Sequence, residues 1–72
     1  MKEYAVIIER ASARNYSGYV PDLPGCVSTG ATREECERNL TQAIEFHLEG
    51  MREDGEPIPE PSTYVSMLEV AA

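Results

Sequence analysis

Residues 15–32 read NYSGYVPDLPGCVSTGAT, and their order decides the fold. Tyr16 to Val20 is a short aromatic and β-branched run, Pro21-Asp22-Leu23-Pro24-Gly25 is a rigid corner, and Cys26 to Thr29 is a second short run. Gly30 ends that run, and Thr32 opens a helix. Two prolines fix φ and remove two backbone donors, so the corner cannot lie inside a paired strand. Gly25 supplies either a backbone angle or a close approach that a Cβ would block. A stiff corner with a carboxylate at its tip suits a recognition element and a plain strand connection equally well.

Working outward, Tyr4, Val6 and Ile8 alternate with Glu3, Ala5, Ile7 and Glu9, which predicts a first strand with one strongly apolar face. Ala11 to Arg14 read as the turn into the second strand, where Gly18 marks a bulge or a close-packing point. Downstream, Thr32-Arg33-Glu34-Glu35 has the form of a capping box, with Glu35 placed to reach back to Thr32. The early glutamates complement the positive end of the helix dipole. Cys36, Leu40, Ala43, Ile44, His47, Leu48 and Met51 then form one apolar stripe at helical spacing. Gly55 and Pro57 stop the helix near Asp54. Glu56 to Pro61 is a stiff extended connector, and the alternation from Tyr64 to Val70 predicts a last strand.

The expected order is β-β-β-α-β, an α+β fold. A small, mainly antiparallel four-stranded sheet carries one helix, Thr32 to about Asp54, on one face, within a single domain over residues 1–72. Tyr4, Val6, Ile8, Val20, Leu40, Ile44, His47 and Leu68 are the expected core. The uncovered face then carries Ala5, Ile7, Tyr16 or Tyr19, and Val65 or Met67, an apolar patch large for a small monomer. A homodimer or higher homo-oligomer built on that face or a sheet edge follows.

The chain has 72 residues, close to the lower limit at which one core sustains a fold. Such a chain buries only about 60% of its unfolded surface, which favours self-association. Thirteen acids against six bases give a net charge of −7, which argues against direct binding of a nucleic acid backbone. The imbalance is concentrated: residues 33–56 hold eight acids and three arginines, either a solvated helix face or a surface for a basic partner. No apolar run approaches the roughly 20 residues of a membrane span and no secretory h-region is present, so the expected location is cytoplasmic.

Catalytic chemistry finds little support. His47 lies inside the apolar stripe, and a histidine there is usually packed rather than reactive. Cys36 and His47 are eleven residues apart on one helix, roughly 16 Å along its axis, too far to share a zinc ion with bonds of about 2.0–2.3 Å. Cys26 and Cys36 are expected as small buried hydrophobes, with no disulfide framework. None of the five serines stands in a nucleophile-elbow context, and no glycine-rich phosphate loop opens a helix. The expectation is a protein without enzymatic activity, cofactor or metal.

Taken in order, Tyr19-x-Pro21-Asp22-Leu23-Pro24-Gly25-Cys26, Gly30-x-Thr32-x-x-Glu35, Asn39-Leu40-x-x-Ala43-Ile44 and Gly55-x-x-Ile58-Pro59-x-Pro61 resemble the HicB-like antitoxin family over about residues 4 to 70. The resemblance implies a β-β-β-α-β fold, partly RNase H-like or double-stranded-RNA-binding-domain-like. It also implies that the chain binds and neutralises a small basic HicA-like toxin that cleaves messenger RNA. Full-length members usually continue into a C-terminal DNA-binding domain. The sequence ends at Ala72 without one, so it resembles a short, single-domain member. Asp22, Leu23, Pro24, Glu34, Glu35 and Glu37 are the candidate partner contacts, on the expectation that the corner and the helix N-terminus share one end of the domain. Two alternatives stay open: an orphan homo-oligomeric binding module, and a metal-dependent nuclease using Glu3 or Glu9 with Asp22 and Glu34.

Overall fold

A computed structural model describing all 72 residues contains, in chain order, strands β1 (Ile7–Ser12), β2 (Asn15–Tyr19) and β3 (Val27–Gly30) and helix α1 (Arg33–Glu53). The strands form one antiparallel sheet in the order β1-β2-β3. Ile7 pairs with Tyr19 and Ile8 with Gly18, and the register slips at Ala11 so that Ser12 meets Asn15. That slip absorbs half of the expected four-residue turn into strand and leaves Ala13-Arg14 at the tip. Across the second pair, Gly18 meets Ser28 and Tyr19 meets Val27. Because side chains alternate along a strand, Ile8, Gly18 and Ser28 make one row and Ile7, Tyr19 and Val27 make a row on the opposite face.

Helix α1 covers the first of these faces and comes very close to it. A Cβ at Gly18 would lie 2.6 Å from Leu40 Cδ1 and 3.3 Å from Cys36 Sγ. One at Gly30 would meet the backbone of Cys36 at 2.5 Å. Gly18 is therefore a close-packing point and not a bulge. The buried core is five side chains, Val20, Leu23, Cys26, Cys36 and Leu40. Tyr4, Val6, Ile8 and Ile44 pack against it half-buried, as does the rest of the apolar stripe in Ala43, Leu48 and Met51. Val20 and Leu40 are buried as expected, and His47 is half-buried.

Both helix ends follow the local sequence. Thr32 is the N-cap, its Oγ1 accepting from the Glu35 N–H at 3.0 Å. Glu35 reaches back one residue further than expected, Oε1 accepting from the Ala31 N–H at 3.0 Å. At the other end Gly55 adopts φ +71°, and the Glu56 and Gly55 N–H groups donate to the carbonyls of Met51 and Arg52. This is the double hydrogen bond of a Schellman cap.

One expected element is absent from the sheet. Residues 57–72 form no strand and contribute no backbone–backbone hydrogen bond within the chain, and Leu68, expected in the core, is 84% exposed. The fold is α+β with order β-β-β-α. The alternation of Tyr64 to Val70 makes this segment fit to pair, but pairing needs an edge within reach. Pro57, Pro59 and Pro61 instead stiffen an extended path that leaves the sheet.

Leu40→Ala should cost roughly 2–5 kcal/mol in urea denaturation at fixed protein concentration. In the same assay Gly30→Ala should cost about 1–3 kcal/mol by overpacking against Cys36. Gly50→Ala, where no atom lies within 4 Å of the added carbon, should stabilise by up to about 1 kcal/mol through helix propensity.

Candidate functional site

The proline corner is an anchor closed by its own backbone. The Val20 N–H donates to the Cys26 carbonyl at 3.1 Å, Leu23 N–H to Val20 at 3.0 Å, and Cys26 N–H to Leu23 at 3.0 Å. Leu23 is fully buried at its centre. Gly25 has φ +84° with open space around its Cβ position, so the need there is for the angle. Beside Leu23, the Asp22 carboxylate grips a segment forty residues away. Its Oδ2 accepts from the backbone N–H of Ser62 at 3.0 Å and of Thr63 at 3.2 Å. Its Oδ1 accepts from the hydroxyls of Ser62 at 3.0 Å and Thr63 at 2.8 Å. The Ser62 backbone bond first, then the Thr63 hydroxyl, hold the Asp22 carboxyl below its ordinary value of 3.8, against a smaller opposing effect of desolvation.

The acids at the start of α1 are elsewhere. Glu34 and Glu37 are exposed, while Glu35 is half-buried and committed to Ala31. Arg33 approaches Glu37 at 3.9 Å, an exposed pair that contributes little. Pro24 lines a shallow recess with Phe46, His47, Gly50, Met51, Asp54 and Glu56. Phe46 to Gly50 is about 14–20 Å along the helix axis from Glu37. The corner thus lies beside the C-terminal half of α1 and not, as expected, with its N-terminus. Of the six candidate residues, Glu34, Glu35 and Glu37 stand at the helix start, Pro24 alone lines the recess, and Asp22 and Leu23 are engaged within the fold.

Phe46 is a residue that sequence reasoning passed over. It is 80% exposed next to that recess. The available signal was a phenylalanine lying outside the apolar stripe of an amphipathic helix. Burial pushes the thiols of Cys26 and Cys36 up, with the nearby Glu37 charge adding to the effect at Cys36, so neither is activated as a nucleophile. No three histidine, cysteine, aspartate or glutamate side chains gather at one point, and no helix is long and apolar enough to cross a membrane.

Fold and surfaces together define a small, acidic α+β domain with a stiff corner pinned under one helix. The chain belongs to the HicB-like antitoxin family of bacterial toxin–antitoxin systems, which it matches over residues 4–71. It is 34% identical over 67 residues to the UPF0150 protein ssr1765 of Synechocystis, covering 93% of this chain and 85% of that one. It is 37% identical over 57 residues to the UPF0150 protein Ta0767 of Thermoplasma acidophilum, covering 79% of this chain and 83% of that one. A 14.9 kDa protein from the rep–hol intergenic region of Haemophilus phage HP1 is 46% identical over 56 residues. There the match covers 78% of this chain but only 41% of the phage protein.

Because the folded carboxyl of Asp22 is depressed, its grip is fully present above about pH 3.8 and is lost as pH falls through the lower folded value. The amide proton shifts of Ser62 and Thr63 should titrate together with one midpoint below 3.8. Asp22→Asn should abolish that titration without disturbing the amides of α1.

Proposed function

We propose that this chain is an antitoxin that binds a small, basic, HicA-like mRNA-cleaving toxin in the cytoplasm and neutralises it by protein–protein contact, acting as a homodimer without catalysis of its own. Membership of the antitoxin family over residues 4–71 carries the reading. The charge distribution supports it. A protein that cuts RNA must present a positive surface to phosphates, and a chain of net charge −7 complements such a surface. Exposed Glu34 and Glu37 and the exposed Pro24 are the direct contacts in this proposal. Asp22, Leu23 and Glu35 serve by holding the corner and the helix start in place, since their polar atoms or side chains are engaged within the fold.

Co-expression with the product of the neighbouring small basic reading frame should restore growth and yield a complex that survives purification. If no such product exists, or if it stays toxic at full expression of this chain, the antitoxin reading fails. Exposed charges act chiefly on association, and the screening length is about 10 Å at 0.1 M salt. The paired substitutions Glu34→Lys and Glu37→Lys should therefore slow association with the toxin about tenfold or more at low salt. Raising the salt should shrink that difference, with the far-ultraviolet circular dichroism unchanged.

A further inference from the structure

The segment Tyr64–Val70, YVSMLEV, is extended, alternates, and has no partner of its own. Tyr64 is 92% exposed, Met67 90%, Leu68 84% and Val70 79%. Yet its root is fixed. Besides the Asp22 grip on Ser62 and Thr63, the Tyr4 hydroxyl donates to the Pro59 carbonyl at 2.5 Å, and Lys2 meets Glu60 at 2.6 Å. Ile58, Pro59 and Pro61 are half-buried. A stiff, anchored stem thus holds an apolar arm away from the body, and the molecule extends 47 Å along its longest axis against 27 and 19 Å across. Its radius of gyration is 13.9 Å, where a compact chain of this length has about 11 Å.

The body has a matching vacancy. With the sheet order β1-β2-β3, the outer edge of β1 is unpaired. At β3 the Thr29 carbonyl already accepts from Asn39 Nδ2 at 2.7 Å, and α1 lies mainly over β3. Between α1 and the residues that lead into β1, a groove of about 630 Å³ runs over Tyr4, Ile44, Leu48 and Ile58, with Lys2, Glu45 and Arg52 also lining it. On the opposite sheet face, Val27 is 64% and Tyr19 43% exposed beside Ile7. A strand added at β1 would fill both surfaces through its alternating side chains.

We propose that the arm Tyr64–Val70 of one copy pairs with the β1 edge of a second copy, reciprocally about a two-fold axis. Tyr64, Leu68 and Val70 enter the groove over Ile44 and Leu48, and Val65 and Met67 extend the apolar row of Ile7 and Tyr19. A second copy is the occupant for three reasons. The chain itself supplies both the arm and the edge that fits it, so one symmetric contact satisfies two of each. The accessible surface is 5739 Å², against about 4,450 Å² for a compact monomer of this mass, and the excess is on the scale of the roughly 800 Å² each partner buries in a standard interface. Finally, the arm carries a single charge, Glu69, so it lacks the acidic complement that a basic toxin surface would select.

The arm exchange rests on the homodimer reading above, and its test separates the two. Full-length chain labelled with ¹³C is mixed with unlabelled chain, refolded together, and examined for intermolecular nuclear Overhauser effects. Contacts from Leu68 methyls of one copy to Ile44 and Leu48 methyls of the other are expected. Met67→Pro, which removes a ladder donor on a segment making no backbone hydrogen bond within its own chain, should weaken the dimer about 100-fold or more while leaving the helix signal intact. A dimer without those contacts, or one that Met67→Pro leaves unchanged, overturns the arm exchange and keeps the homodimer. A mass near 8.0 kDa at tens of micromolar overturns both.

Discussion

The closeness of α1 to the sheet is the constraint on which the rest depends. Gly18 and Gly30 leave no room for a Cβ, and the helix backbone at Cys36 comes down onto β3 because of it. Small side chains then suffice between the layers, which is why two cysteines can stand in a core of only five residues. The contact is fixed by polar bonds at its margin: Asn39 to the Thr29 carbonyl, Glu35 to the Ala31 N–H, and the weak approach of the Cys36 thiol to the Ser28 carbonyl. With the helix held this low, Leu23 can reach under it from the corner and complete the core. A larger residue at Gly18 or Gly30 would lift the helix and leave Leu23 without a lid.

Local chemistry was legible in the sequence, and long-range pairing was not. The N-cap at Thr32, the stop at Gly55 and the helix between them are written in residues within a few positions of each other, and each was read correctly to within a residue. The alternation of Tyr64 to Val70 reports a β-competent segment but carries no address for an edge, so periodicity alone predicts a fourth strand that the chain's own sheet does not contain. The sequence leaves Asp22 open between a recognition contact and a structural corner because its four donors come from Ser62 and Thr63, forty positions away and unremarkable in type. The expectation that the corner sits beside the helix N-terminus fails for a similar reason. The crossing direction of a 21-residue helix decides which half of it the corner meets, and periodicity is silent on direction.

The Asp22 grip gives the two ends of the chain a common base. Pro59 sits against Tyr4 and Ser62 against Asp22, so the N-terminal segment, the corner and the connector meet at one end of the sheet. The exposed Lys2–Glu60 pair adds little by itself. The carboxylate matters more because backbone amides are the donors: two N–H groups that have no strand partner are satisfied by one side chain. Three prolines in the connector reduce the freedom lost on ordering it, so a few hydrogen bonds hold an extended path that a flexible linker would abandon.

Charge and apolar surface are distributed differently over this molecule, and the difference bears on the two kinds of contact proposed for it. Two chains of net charge −7 repel at long range, so self-association has to come from short-range burial. The surfaces fitted to that carry little charge: the arm, with Glu69 alone, and the row of Ile7, Tyr19 and Val27. The acids instead crowd along residues 33–56, and the outer face of α1 keeps Glu34, Glu37 and Glu49 in solvent. In the function proposed above, a basic partner is drawn to that face by the same field that keeps like chains apart. On the proposed reading, dimerisation through the β1 edge leaves the acidic helix of each copy facing outward, and joining the two copies brings a second acidic face within reach of the same target. The small core and the acidic surface are then two sides of one solution, since a domain that completes its fold with its neighbour's strand frees its helix for the partner.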